Sequence, residues 1–376
     1  MADETGITWP IPQHTKAKHE ILRYYLGAWF PILATTQPRL LYIDGFAGPG
    51  EYEGGEDGSP IIALKVARDH ILTSRLQRPG MELVFFFIEP DKARFQNLEQ
   101  KLNELQLPSN FKIGTECGTF EHAFGSKLVE IEKQSKRLAP SFVFIDPFGP
   151  TGFPMSLIGS LAQQSSSEVL INFNCQALNQ WFLQDESKHK HVDALYGSDI
   201  WHPALAISDS RQRENYLRTA YQTALESFGW KVRPFRMINK HNQTQYYLFF
   251  ATSNWRGMLV MKQAMWHAAP TGDFQYSDLT NPQQQRLFDK ELFDRDYSQE
   301  LAEHLHQAHQ GRAIPYQTLL RNDVAWHPIC VERHLTQALK MLEYEADPPK
   351  IIKVESADNK KRRKGSYKAC TITFAS

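Results

Sequence analysis

Residues 40–43, 83–88, 142–145 and 169–173 form short, largely apolar runs, each separated from the next by a stretch of helical periodicity. Runs of this length are too short for buried helices, and they lack the alternation of a strand with one wet face. They read as strands of a parallel sheet covered on both sides. Residues 14–34 carry Ile21, Leu22, Tyr25, Leu26, Trp29, Phe30 and Leu33 as an amphipathic helix stripe. Ser59 and Pro60 mark a helix start, with Ser59 as the cap and Pro60 at the first helical position. Further helices are expected at 91–105, 120–137 and 155–164, with a weaker strand at 111–113. The alternation predicts an open, doubly wound α/β sheet.

Past residue 175 the rhythm changes. Residues 176–230 are polar and helix-prone and read as an insertion, after which 231–238 and 246–253 look like paired strands closing the sheet, followed by a last helix at 254–268. A second unit starts at about 285, so the expected domains are 1–284 and 285–376. Its three helical stretches end in two strand-like segments, 351–354 and 367–374, on either side of Asp358-Asn359-Lys360-Lys361-Arg362-Arg363-Lys364-Gly365. Helices followed by a basic hairpin predict a winged helix-turn-helix.

Composition sets bounds on partners. Lys plus Arg number 42 and Asp plus Glu 42, so no global charge favours nucleic acid and any such surface has to be local. The longest apolar run is too short to cross a bilayer, and the first residues lack a basic-then-apolar leader. Cys117, Cys175, Cys330 and Cys370 are scattered, which disfavours a disulfide framework or a zinc site. These features are expected of a reducing, cytoplasmic protein with no membrane association and no metal.

The chemistry concentrates at strand ends. The strand at 40–43 runs into Asp44-Gly45-Phe46-Ala47-Gly48-Pro49-Gly50, where glycines permit positive φ and close ligand approach. Such a turn forms the floor of a cofactor crevice in Rossmann-like sheets, although a tight turn without a ligand has the same composition. Glu89 ends the next strand, where an acidic group bonds ribose hydroxyls, and Cys117-Gly118 follows the third, where an adenine edge is expected. The stretch 51–58 is an acidic interruption, readable as a lid or as a solvated loop, and no G-K-[ST] follows to make a P-loop. Asp44, Gly45, Phe46, Gly48, Gly50, Glu89, Cys117 and Gly118 are the candidate cofactor residues.

Asp146, Pro147 and Phe148 are the candidate catalytic residues. The turn 44–50 resembles the first motif of S-adenosylmethionine-dependent methyltransferases, and Asp146-Pro147-Phe148-Gly149 is similar to the Asp-Pro-Pro-Tyr motif of those that modify amino groups. There the carboxylate and a backbone carbonyl accept the amine's N–H groups while an aromatic face stacks on the base. Here Phe148 or Phe153 could supply that face. A rigid Pro/Gly turn is the structural alternative. Asn172 and Asn174 end the fifth strand, facing either the crevice or the flank. In the second unit, Lys360, Lys361, Arg362, Arg363 and Lys364 on the wing and Arg333 on the preceding helix are candidates for phosphate contact, although winged helices also bind proteins.

Nearly end to end, the chain resembles the three-Cys-motif partner protein family. The resemblance is carried by Lys18-His19, Leu22, Tyr25-Leu26, the segment 42–50, Gly58-Ser59-Pro60 and Asp146-Pro147-Phe148-Gly149. It implies a methyltransferase-like Rossmann domain, S-adenosylmethionine as cofactor, and a partner protein with a three-cysteine motif similar to radical S-adenosylmethionine enzymes. The expectation is a methyltransferase acting on an exocyclic amine of a nucleic-acid base, DNA or RNA. The rival is a non-catalytic partner that binds nucleic acid through its winged helix.

Overall fold

A computed structural model of the chain describes residues 6–164, 166–268, 274–279, 289–357 and 362–376, with side chains from 295 onward in the helix that begins at 289. The chain divides into two compact units, Met1–Ser253 with Tyr276–Leu279, and Asn254–Gln275 with Thr280–Ser376.

The first unit runs α1 (Gln13–Leu33), β1 (Arg39–Asp44), α2 (Ser59–Arg68), α3 (Thr73–Leu76), β2 (Glu82–Ile88), α4 (Lys92–Asn103), β3 (Phe111–Glu116), α5 (Phe120–Lys133), β4 (Ser141–Ile145), α6 (Met155–Ala162), β5 (Ser167–Phe173), α7 (Cys175–Ala177), α8 (His189–Tyr196), α9 (Ser210–Glu226), β6 (Lys231–Ile238) and β7 (Thr244–Thr252). The sheet order is β3-β2-β1-β4-β5-β7-β6, with a short strand β8 (Gln275–Ser277) beside β6. Strands β1 to β5 are parallel, whereas β7 runs antiparallel to both β5 and β6. The order reverses between β1 and β4, and the crevice of an open α/β sheet lies at such a switch point.

The apolar runs are continuous because successive residues serve opposite faces. On one face Tyr25 and Phe30 of α1 pack on Phe142 and Phe85, at ring distances of 5.0 and 5.9 Å. On the other, Ile43, Val143, Ile145, Val169 and Ile171 join a buried core with Phe120, Phe124, Ile158 and Leu161. Leu178, Val192, Leu195, Trp201, Leu217 and Tyr221 belong to that same core. The segment 176–230, expected as an insertion, thus contributes to the core of the first unit. Its helices bury an apolar stripe that the polar outer face conceals in the sequence. The Glu168 carboxylate is buried between α1 and the sheet, accepting hydrogen bonds from Tyr25 (2.6 Å), Trp29 (2.8 Å) and Thr252 (2.7 Å).

The second unit comprises α10 (Trp255–Ala268), α11 (Asp289–His309), β9 (Ala313–Pro315), α12 (Tyr316–Leu319), α13 (Glu332–Lys340), β10 (Ile351–Ser356) and β11 (Cys370–Phe374). Its three strands form an antiparallel sheet in the order β10-β11-β9. Leu301, Leu305, Leu319, Leu335, Leu339, Ile372 and Phe374 fill its core. Helix α10, expected to close the first domain, belongs to this unit, so the division falls at Asn254 and not at 285. The cause is visible at two residues. Leu259 packs in the second core, and the ammonium of fully buried Lys262 donates to the carbonyls of Val324, His327 and Cys330 at 2.8, 2.7 and 2.5 Å.

Candidate functional site

The glycine turn is tied to the ends of the two neighbouring strands. Gly45 donates its N–H to Phe144 at 2.9 Å and Ala47 donates to Ile88 at 2.9 Å. A Cβ on Gly45 would stand 2.6 Å from the buried Phe120 ring, so only glycine fits between β1 and α5. Gly48 and Gly50 have φ of +65° and +85°, and the space a Gly48 side chain would fill is open. Gly58 donates to Gly50 at 2.8 Å and closes the loop 51–57 into a small hairpin. Glu51, Asp57 and Glu56 of that hairpin pair with Lys101 (3.0 Å), Lys65 (2.8 Å) and Lys16 (3.4 Å). The acidic stretch is thus pinned down and is not a free solvated loop. Gly58 also takes the cap position of α2 expected for Ser59, whose hydroxyl hydrogen-bonds the carboxyl of Asp44 instead.

Three carboxylates end the central strands in different environments. Asp44 is fully buried, and burial raises its pKa to about 7 against the opposing hydrogen bonds from Ser59, Phe46 and Tyr42. Glu89, 2% exposed, accepts the Gly48 N–H at 2.8 Å and the Asp91 N–H at 2.9 Å. Burial raises its pKa too. Its carboxylate fixes the conformation of the glycine turn. Asp146 is held at both oxygens. Oδ2 faces the ammonium of buried Lys18, and Oδ1 accepts from Asn172 Nδ2 at 2.7 Å. His19, beside Lys18, is kept neutral by burial and by the lysine charge, its pKa lowered to about 3.

Asp146 and the glycine turn meet at a cavity of about 160 Å³. Phe46, Gly48, Gly50, Asp146, Pro147 and Phe148 line it, together with Asn172 and Asn174. Asp44 and Gly45 are not in its wall, and neither are Glu89, Cys117 or Gly118. Cys117 is exposed, and Gly118 donates to the Glu89 carbonyl at 3.2 Å. Of the two candidate stacking rings, Phe148 is 52% exposed at the cavity, whereas Phe153 is buried in the core. The segment before α1 supplies a further wall that the sequence reading did not anticipate. Trp9 sits edge-on to Tyr52 and Phe148, at 5.8 and 5.6 Å, and the Arg94 guanidinium stacks on Trp9 and Phe148 at 4.9 and 4.8 Å.

Lys18, named above only for the resemblance, and Tyr246 also line the cavity without having been site candidates, with the Lys18 ammonium 5.5 Å from the Tyr246 ring centroid. Lys18 could have been found. It stands at the i position of the apolar stripe Ile21, Leu22, Tyr25, where an unpaired lysine would be costly to bury. Tyr246 carried no comparable signal inside an apolar strand.

In the second unit, Arg333 is exposed with its guanidinium 4.7 Å from the Trp266 ring, and Arg363 and Lys364 are exposed on the described side of the basic segment. Lys360 and Lys361 lie outside the described residues. Arg362 differs from the expectation of a free phosphate contact. It forms a two-pronged pair with Glu343, which also accepts from Tyr367 at 2.6 Å. Among the described residues no cluster could hold a metal ion, and no helix is long and apolar enough to cross a membrane.

No protein-family model matches this chain, and no curated protein matches its sequence. Among solved structures, the chain is similar to the O-methyltransferase from Bacillus cereus in complex with SAH, at 10% identity over 65% of this chain and 83% of that one, with a TM-score of 0.35. A geranyl diphosphate methyltransferase in complex with GPP and sinefungin is 12% identical over 63% of this chain and 76% of its own, with a TM-score of 0.26.

Proposed function

We propose that the chain is an S-adenosylmethionine-dependent methyltransferase whose acceptor is an amino group on a nucleic-acid base. The observation that carries this reading is a single cavity lined by both the glycine turn and the Asp146–Asn172 pair, at the carboxyl ends of β1, β4 and β5. The reversed strand between β5 and β6 departs from a dinucleotide-binding order and agrees with the methyltransferase-type sheet that the sequence resemblance implies. The residues fit the cofactor: Gly48 leaves open the space a side chain would take, with its N–H fixed by Glu89.

When bound, S-adenosylmethionine supplies an electrophilic methyl group on a sulfonium. The chain's own part is to position and to exclude water. Glu89 locks the glycine turn, Asp44 and Ser59 support it from below, and Trp9, Tyr52 and Phe148 wall the cavity with aromatic surface. Lys18 fixes the Asp146 carboxylate and offsets its charge in a confined site. Calorimetry with S-adenosylmethionine tests this reading. Wild type should bind, and Gly48→Leu, which fills the open space at a positive φ, should lose binding by at least about tenfold while keeping its circular dichroism spectrum. No heat from the folded wild type would remove the enzyme reading.

In this reading the second unit is a winged helix, with Arg333, Arg363 and Lys364 as its phosphate contacts. A strand between α11 and α12 that joins the two strands after α13 in one antiparallel sheet supports that assignment. One observation favours the rival, a non-catalytic partner of a three-cysteine-motif protein: both Asp146 oxygens are already engaged within the chain. A labelled-methyl assay on DNA and RNA separates the two. Incorporation abolished by Asp146→Ala supports the enzyme. Cofactor binding without incorporation, together with co-purification of a three-cysteine protein, supports the rival.

A further inference from the structure

The amide of Asn172 has one satisfied end and one orphaned end. Its Nδ2 donates to Asp146 Oδ1 at 2.7 Å. This contact fixes which way the amide points, because the flipped amide would set oxygen against a carboxylate already facing Lys18. The other atom, Oδ1, is buried and has no hydrogen-bond partner. Asn172 is only 7% exposed and lies in the cavity wall. A buried amide oxygen without a donor is disfavoured, and in native structures such an atom is normally completed by a water, an ion or a ligand.

We infer that Asn172 Oδ1 receives an N–H from the group that enters this cavity, and that the cavity therefore selects an amino-bearing planar heterocycle over its oxo counterpart. The surroundings point to that class. Trp9, Tyr52, Phe148 and Tyr246 line the cavity with aromatic surface, and Asn172 and Asp146, hydrogen-bonded to each other, belong to the same wall. An amino group donates to such oxygens. An oxo group in the same place would set a third oxygen against them and leave Oδ1 unpaired. The inference deepens the methyltransferase reading by assigning the discrimination to Asn172, a residue separate from Asp146.

Calorimetry on the full chain, with and without saturating S-adenosylhomocysteine, tests it with the nucleoside pairs adenosine against inosine and cytidine against uridine. The amino member of at least one pair should bind about tenfold or more tightly than its oxo partner. Asn172→Leu should reduce that preference to within about twofold, with circular dichroism and thermal unfolding confirming that it folds. Equal affinity within both pairs, no binding of any of the four, or a preference that survives Asn172→Leu would each overturn the proposal. Failure of S-adenosylhomocysteine to bind would instead count against the cofactor. The nucleoside preference, read in its absence, would still decide the role of Asn172.

Discussion

Burying Asp44 against the floor of the glycine turn makes folding depend on pH in a definite direction. Its pKa rises from 3.8 to about 7 on folding, so the native state holds a proton that the unfolded chain has released. Stability from this group is fully present below the unfolded value and is lost as pH rises through about 7, by at most about 4 kcal/mol. Glu89 and Glu168, raised by burial, share that sign, whereas His19, lowered to about 3, has the opposite one. Asp44→Asn should therefore unfold near the wild-type denaturant midpoint at about pH 4 and at a clearly higher midpoint at about pH 8. An equal gain at both values would show that Asp44 is not the titrating group. Gly45→Ala tests sterics at the same turn. Because Phe120 is buried and cannot yield freely, urea unfolding should register a loss of about 1–3 kcal/mol, partly restored by Phe120→Leu. The turn itself was readable because glycine at a strand end has few other uses. The hydrogen bond from Gly48 to Glu89 that makes it rigid joins residues distant in sequence and leaves no local mark.

At the scale of elements, α1 shows how a helix can be legible and its role not. Its apolar stripe predicted the helix and its buried face, with observed bounds Gln13–Leu33. The same stripe contains Lys18, which reaches Asp146, and Tyr25 and Trp29, which meet Glu168. Helix α1 is thus both a cover for the sheet and a wall of the site. Glu168 is its anchor, and the anchor can be tested. Glu168→Leu leaves a tyrosine hydroxyl, an indole N–H and a threonine hydroxyl facing an apolar side chain. It should destabilise the first unit by about 3 kcal/mol or more in denaturant unfolding. Glu168→Gln keeps an acceptor for those donors and should lose substantially less; equal losses would mean that packing, not the hydrogen bonds, holds the helix. The helices between β5 and β6 illustrate the converse. Their outer polarity hid a core face, because apolar residues spaced through several short helices add up to one only after folding.

For the molecule as a whole, equal numbers of acidic and basic residues rule out nucleic-acid attraction by net charge, so the nucleic-acid proposal rests on a few local cations. Not all cations of the basic segment are available for that purpose. Arg362 is committed to Glu343, where burial works to raise the carboxyl but hydrogen bonds from Arg362 and Tyr367 outweigh it and hold its pKa below the usual range. Arg363 and Lys364 are exposed, with the Lys364 ammonium 4.7 Å from the Tyr344 ring centroid. The sequence presents the whole run as one charge block because it records charge and not pairing. The structure divides the described part into Arg362, paired with Glu343, and the exposed Arg363 and Lys364. Replacing both Arg363 and Lys364 by alanine should weaken binding to a single- or double-stranded oligonucleotide and lower the slope of log affinity against log salt by up to about two. Arg362→Ala should act differently, lowering the unfolding midpoint of the second unit by removing the partner of a partly buried carboxylate. If the double variant left the salt slope unchanged while Arg362→Ala reduced it, the division between structural and phosphate-binding cations would be reversed.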